Sequence, residues 1–181
     1  MAEDSKNIKT DNLIQQSLLN LLIQKPFDNI TVKNICDTAL VGRSTFYQYY
    51  VDKYELFDKI VESYSEKFQE LINRRNTQIN DDTFLVYLYN QIFEDRADFI
   101  TLLSIKTTSE NLETHIKSIL KHASYAIFDD IEVDLPSDFL SDMYATNALT
   151  ALTWTLKNGY SEEIANFMND SLKQLRKTYS N

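Results

Sequence analysis

Apolar positions along this chain recur at helical spacings. Ile14, Leu18, Leu21 and Leu22 share one face of a segment running from about Thr10 to Gln24. Lys25-Pro26 ends it, because the residue before proline avoids the helical region. Thr31 is a good N-cap for a second, two-turn helix whose apolar stripe is Val32, Ile35, Cys36 and Ala39. A break at Leu40-Val41-Gly42 predicts a third helix from Arg43 to about Tyr49. Asp52 caps a fourth, reaching Arg75 through Leu56, Phe57, Ile60, Tyr64, Phe68 and Leu71. The rest of the pattern predicts helices near 82–94, 96–106, 109–129, 136–158 and 161–178. Pro136 suits a start, Asn158-Gly159 a stop, and Ser161 with Glu162 and Glu163 the next start.

Composition supports an all-α fold of about nine helices. Glycine and proline number 2 each among 181 residues, too few turn formers for an all-β chain, and apolar residues make up 43%. The lone Cys36 excludes an internal disulfide framework and suits the cytoplasm. No signal peptide is expected at the N-terminus, and no apolar run is long enough to span a membrane. The net charge of −9 argues against a nucleic-acid partner until its distribution is considered. Residues 1–53 carry six basic and six acidic side chains, so the whole acidic excess lies in 54–181. A neutral segment with a few well-placed cations is compatible with a phosphate backbone.

The second and third helices, about three residues apart, form a helix-turn-helix whose second member suits a major groove. Phe46 is the inward anchor of that third helix. Arg43, Ser44, Thr45, Tyr47, Gln48 and Tyr49 cover its other faces. Arginine and glutamine read base edges through paired hydrogen bonds, while threonine, tyrosine and lysine satisfy phosphates.

Over residues 10–60 the sequence resembles the TetR family of regulators. The residues that carry the likeness are Phe27, Thr31-Val32, Ile35-Cys36, Ala39, Val41, Arg43-Ser44-Thr45-Phe46-Tyr47, Tyr50, Lys53 and Leu56. The resemblance implies a DNA-binding domain over 1–53 and a ligand-sensing and dimerisation domain over 54–181. It implies base reading by Arg43, Ser44 and Gln48, with Lys33 in reach of a base edge. It implies phosphate contacts by Thr31, Thr45, Tyr47, Tyr49 and Lys53. Two positions depart from the family. Leu40 stands where glycine is usual in the turn, at a position that often needs positive φ; the expectation is a strained or reshaped turn. Gly42 replaces the usual Ser or Asn cap of the third helix.

Beyond that segment the pattern is less specific. Aromatic residues are dense: Phe84, Tyr87, Tyr89, Phe93, Phe99, Tyr125, Phe128, Phe139, Tyr144 and Trp154. Each is either core packing or part of a pocket for an apolar small-molecule effector. The pocket residues expected are Tyr87, Phe93, Leu103, Tyr125 and Met143. Small residues Ala145, Ala148 and Ala151, with the stripe Ile164, Phe167, Met168, Leu172 and Leu175, predict a homodimer through 136–178. The C-terminal pattern is also similar to that of family members that regulate dihydroxyacetone kinase operons. Cys36 reads as a buried structural residue rather than a redox switch. His115 and His122, seven apart, lack a ligand partner at metal-binding spacing. Asp129, Asp130, Glu132 and Asp134 lack the glycine and terminal glutamate of a calcium loop. No catalytic constellation, metal or cofactor is expected. The sequence thus predicts a ligand-responsive repressor that binds a palindromic double-stranded DNA operator as a dimer. The alternatives are an activator or co-regulator of the same fold, or a helical interaction module that does not read DNA.

Overall fold

The computed structural model describes residues 2–78, 81–106, 111–128 and 135–179. Among them are nine α-helices and no strand: α1 (Ala2–Gln24), α2 (Val32–Ala39), α3 (Arg43–Tyr49), α4 (Lys53–Gln78), α5 (Asp81–Ile92), α6 (Arg96–Ser104), α7 (Leu112–Phe128), α8 (Ser137–Asn158) and α9 (Glu162–Tyr179). The expected helices are all present. The acidic stretch Asp129, Asp130, Glu132 and Asp134 lies outside the described residues.

The differences from expectation have local causes. Helix α1 starts at Ala2, eight residues before Thr10. No apolar periodicity in the sequence marks those first turns. Once the amphipathic part has nucleated a helix, each added residue gains a backbone hydrogen bond at little further cost. A single 3-10 turn at Phe27–Asn29 was not expected; it follows Pro26 and buries Phe27.

Short-range chemistry sets the helix ends. The Thr31 hydroxyl accepts from the Asn34 amide (3.2 Å), and the Asn34 side chain accepts from the Thr31 amide (3.1 Å), closing a capping box. Asp52 accepts from the amides of Tyr54 and Glu55 at the start of α4. Leu40 does not reshape its turn. It takes the left-handed conformation itself, at φ 56° and ψ 38°, and its amide bonds the Cys36 carbonyl. Its side chain is 92% exposed, so no burial offsets the backbone strain.

One continuous core runs from Ile14 and Leu18 in α1 to Leu149 and Leu156 in α8. Helix α1 packs on α2, α4 and α6, α2 on α3, and α7 lies along both α4 and α8. Helix α4 therefore links the α1–α3 cluster to the C-terminal bundle, and it is continuous across that junction. Tyr64 on α4 donates to Asp98 on α6 (2.8 Å) and fixes their relative position. Helix α9 packs against α5 and α8.

Candidate nucleic-acid interface and inner cavity

Phe46 is fully buried and holds α3 against the core, with Tyr50 beside it at a ring separation of 5.8 Å. Arg43, Ser44, Tyr47 and Gln48 occupy the opposite, exposed side, and Thr45 and Tyr49 lie half-buried at its margins. The spacing makes two ridges, Arg43 with Tyr47 and Ser44 with Gln48, since residues four apart stack on a helix. Lys33 is exposed on α2. None of the side chains of Lys33, Arg43, Ser44 and Gln48 makes a hydrogen bond within the described residues. Each keeps its donors available.

Three other expected contact residues are engaged inside the chain. The Thr31 hydroxyl donates to Asn34 Oδ1 (3.0 Å) while accepting from the Asn34 amide, so its hydrogen is taken. Tyr49 donates to Asn7 (3.3 Å). Lys53 departs most from expectation. Its ammonium donates to the carbonyls of Phe27 (2.9 Å), Asp28 (3.2 Å) and Ile30 (2.9 Å), and it lies 4.6 Å from the centre of the Phe27 ring. An ammonium has three hydrogens, and three acceptors receive them. The cation ties the α1–α2 connection to the start of α4. In the unbound chain the ammonium therefore faces backbone carbonyls rather than solvent.

The α1–α3 cluster is braced by groups that periodicity does not reveal. The Tyr50 hydroxyl donates to Asp11 and accepts from Gln15 (3.1 Å). Burial, and then the Asp11 bond, holds its ionisation well above the ordinary tyrosine range. The Lys25 ammonium donates to Asn34 (2.8 Å), linking the end of α1 to the capping box. A tyrosine ending a short helix, with Asp and Gln four apart on an earlier one, is a faint signal at best. Cys36 is buried, and burial pushes its thiol up, so it packs as an apolar side chain.

In the C-terminal bundle a partly open cavity of about 80 Å³ lies between α4, α5, α7, α8 and α9. Its walls include Phe68, Phe84, Leu88, Leu120, Tyr144 and Leu152. The five expected pocket residues do not line it. Leu103 is buried in the core, Phe93 is 48% exposed, Tyr125 projects outward to bond Asp138, and Tyr87 accepts from Arg74 (3.2 Å). Met143 faces a second, more open hollow of about 420 Å³ on the outer side of α8 and α9. Trp154 and Phe167 share that hollow and remain 45% and 69% exposed. The difference has a simple cause: helical period shows which residues share a face, not which neighbour that face meets. Tyr144, Ala151, Ile164 and Met168 line both spaces, so one thin wall separates the cavity from the outer face. Among the described residues no three His, Cys, Asp or Glu side chains converge, and no helix is long and apolar enough to cross a membrane.

Residues 16–60 match the family described as bacterial regulatory proteins, tetR family. A TetR transcriptional regulator from Streptococcus agalactiae is 26% identical. The match covers 97% of this chain and 98% of that one, with a TM-score of 0.72. The dhaKLM operon transcriptional activator DhaS of Lactococcus lactis is 27% identical over 106 residues. That match spans 59% of this chain and only 55% of the relative's length. A solved dihydroxyacetone kinase operon activator DhaS, at 22% identity and a TM-score of 0.60, shares the fold over 96% of this chain and 99% of its own.

Proposed function

We propose that this chain, a transcription regulator of the TetR family by its N-terminal segment and its fold, binds a palindromic operator as a homodimer and releases or engages it in response to a small molecule. The observation that carries the reading is the outer side of α3. Arg43, Ser44 and Gln48 are exposed there without internal partners, opposite the buried Phe46 and Tyr50. Residues 1–53 read DNA in this assignment, and 54–181 sense the effector and dimerise. Arg43 suits guanine and Gln48 suits adenine. Lys33 reaches the groove edge, and Tyr47 and Thr45 contact phosphates. Thr31, Tyr49 and Lys53 act by holding the reading helices in place.

The exposed apolar face of α8 and α9, with Phe139, Met143, Trp154 and Phe167, is the dimer surface in this reading. Pairing α8 and α9 with their symmetry mates makes a four-helix interface. The cavity behind its thin wall is the effector site. Helix α4 conveys a change there to the reading heads, whose spacing one turn of DNA sets at about 34–36 Å. Repression follows where the operator overlaps a promoter. Activation is the second reading, favoured by the activator from Lactococcus lactis. Transcription from a reporter carrying the selected operator separates the two.

The test is binding to an operator series at several salt concentrations. Arg43→Ala and Gln48→Ala are each expected to cost about 1–3 kcal/mol at one base position and to relax preference there. Lys53→Met is expected to lower stability while leaving the slope of log affinity against log salt unchanged, because its charge already faces carbonyls. A uniform loss across all bases for Arg43→Ala and Gln48→Ala overturns the base-reading assignment. A fall of about one in the salt slope for Lys53→Met restores Lys53 as a phosphate contact.

A further inference from the structure

The inner cavity constrains the chemistry of what enters it. Among the described residues its lining contains no Asp, Glu, Lys, Arg or His. An ion moved into it would lose hydration and find no countercharge. The polar groups in the lining include Thr155 at the end of α8, Tyr160 and Ser161 in the turn that follows, and Asn169 on α9. Ser161 is already engaged, donating to Glu163 (2.8 Å) and accepting from the Ile164 amide (3.3 Å). Asn169 is different. It is 9% exposed, and its side-chain amide makes no hydrogen bond within the described residues. Its side chain lines the cavity and carries both a donor and an acceptor that no described residue takes.

We propose that the effector is an uncharged, mainly apolar small molecule with one carbonyl, amide or hydroxyl group, which bonds the Asn169 side chain while its hydrocarbon part lies against Phe68, Phe84, Leu88 and Leu120. This rests on the reading of the protein as a ligand-responsive regulator. The ligand is small. The cavity, partly open at one side, holds about 80 Å³, whereas drug-sized ligands occupy pockets of about 300 Å³ or more. An apolar cavity of about 150 Å³ accepts benzene. Six carbons therefore need some yielding of the wall, which the unbranched Met168 permits.

The experiment uses the full chain and four six-carbon probes: hexanamide, hexan-1-ol, hexanoate and hexylammonium. Binding is measured by calorimetry, and operator affinity is followed in parallel. The neutral pair is expected to bind at least about tenfold more tightly than either ion, and Asn169→Leu is expected to lose about tenfold for hexanamide while keeping its affinity for benzene. A measurement without any substitution supports it: the side-chain amide resonances of Asn169 in nitrogen-15 spectra of the unaltered protein should shift with hexanamide and not with hexanoate. Equal binding of hexanoate, unmoved Asn169 resonances, or no binding of either neutral probe overturns the proposal. Neutral probes that bind through Asn169 and leave operator affinity unchanged uphold the pocket and overturn the sensing role. An operator response that survives intact in Asn169→Leu upholds sensing and overturns the pocket.

Discussion

In α1–α3 the polar side chains near the core are matched by partners, whereas α8 and α9 leave large apolar side chains in solvent. Asp11 and Gln15 meet Tyr50, Asn34 meets Thr31 and Lys25, and Lys53 meets three carbonyls. Against that, Phe139 is 55% exposed and Phe167 69% exposed, and a cavity lies behind the wall that Phe167 shares. The first arrangement holds a short helix at a defined angle, which base reading requires. Seven residues form too short a helix to be stable alone, so its position has to come from tertiary contacts. The second arrangement leaves apolar surface and interior space unfilled, the condition for a partner and a ligand to stabilise the fold by binding.

The largest test of this contrast pairs two phenylalanines. Phe46→Ala removes a fully buried anchor and is expected to cost about 3–5 kcal/mol in urea denaturation. Phe167→Ala is expected to leave the stability of the isolated subunit within about 0.5 kcal/mol while weakening self-association. Sedimentation velocity on the same samples reads both. A folded Phe46→Ala with unchanged denaturation midpoint, or a Phe167→Ala dimer as tight as the parent, breaks the comparison.

A smaller effect concerns alkaline pH. Burial first, and a bond to a carboxylate second, raises the ionisation of Tyr50 and of Tyr64 above the ordinary value of 10.0. Both hydroxyls donate to carboxylates, Asp11 and Asp98, so their ionised forms would lose a bond and face a like charge. The sign follows directly. Below pH 10 both the folded and unfolded chains hold these protons, and the stabilisation is complete. Above it the unfolded chain releases them first, and stability falls as pH rises. At pH 11 the loss is expected to be of the order of 1 kcal/mol for Tyr50. Urea midpoints at pH 8 and pH 11 check this. A Tyr50→Phe, Tyr64→Phe double variant is expected to lose less between the two pH values; an equal loss locates the alkaline sensitivity elsewhere.

The smallest effect sharpens the comparison from within the well-matched region. Leu40→Gly is expected to raise stability by about 0.5–1 kcal/mol, because it relieves a left-handed non-glycine residue and removes an exposed side chain that packs on nothing. Part of the relief is cancelled by the greater freedom of glycine in the unfolded chain. Thermal denaturation reads the change, and an unchanged or lower midpoint shows that the turn holds Leu40 without strain.

Most helix starts and stops (that of α1 excepted), the helix-turn-helix, and the outward direction of Arg43, Ser44 and Gln48 were determined by the sequence alone. Each depends on chemistry within about four residues: a capping box at Thr31, a proline at 26, a single inward Phe46 on a seven-residue helix. Tertiary structure alone decided the partners of Lys53 and Tyr50 and the lining of the cavity. Lys53 lies 26 residues from Phe27 and Tyr50 39 from Asp11. Period places Tyr87 on a helix face, but the packing of α5 against its neighbours turned Phe84, Leu88 and Tyr89 toward the cavity and left Tyr87 to accept from Arg74. Helix crossing is set by side chains from several elements at once, so no stretch of one helix contains it.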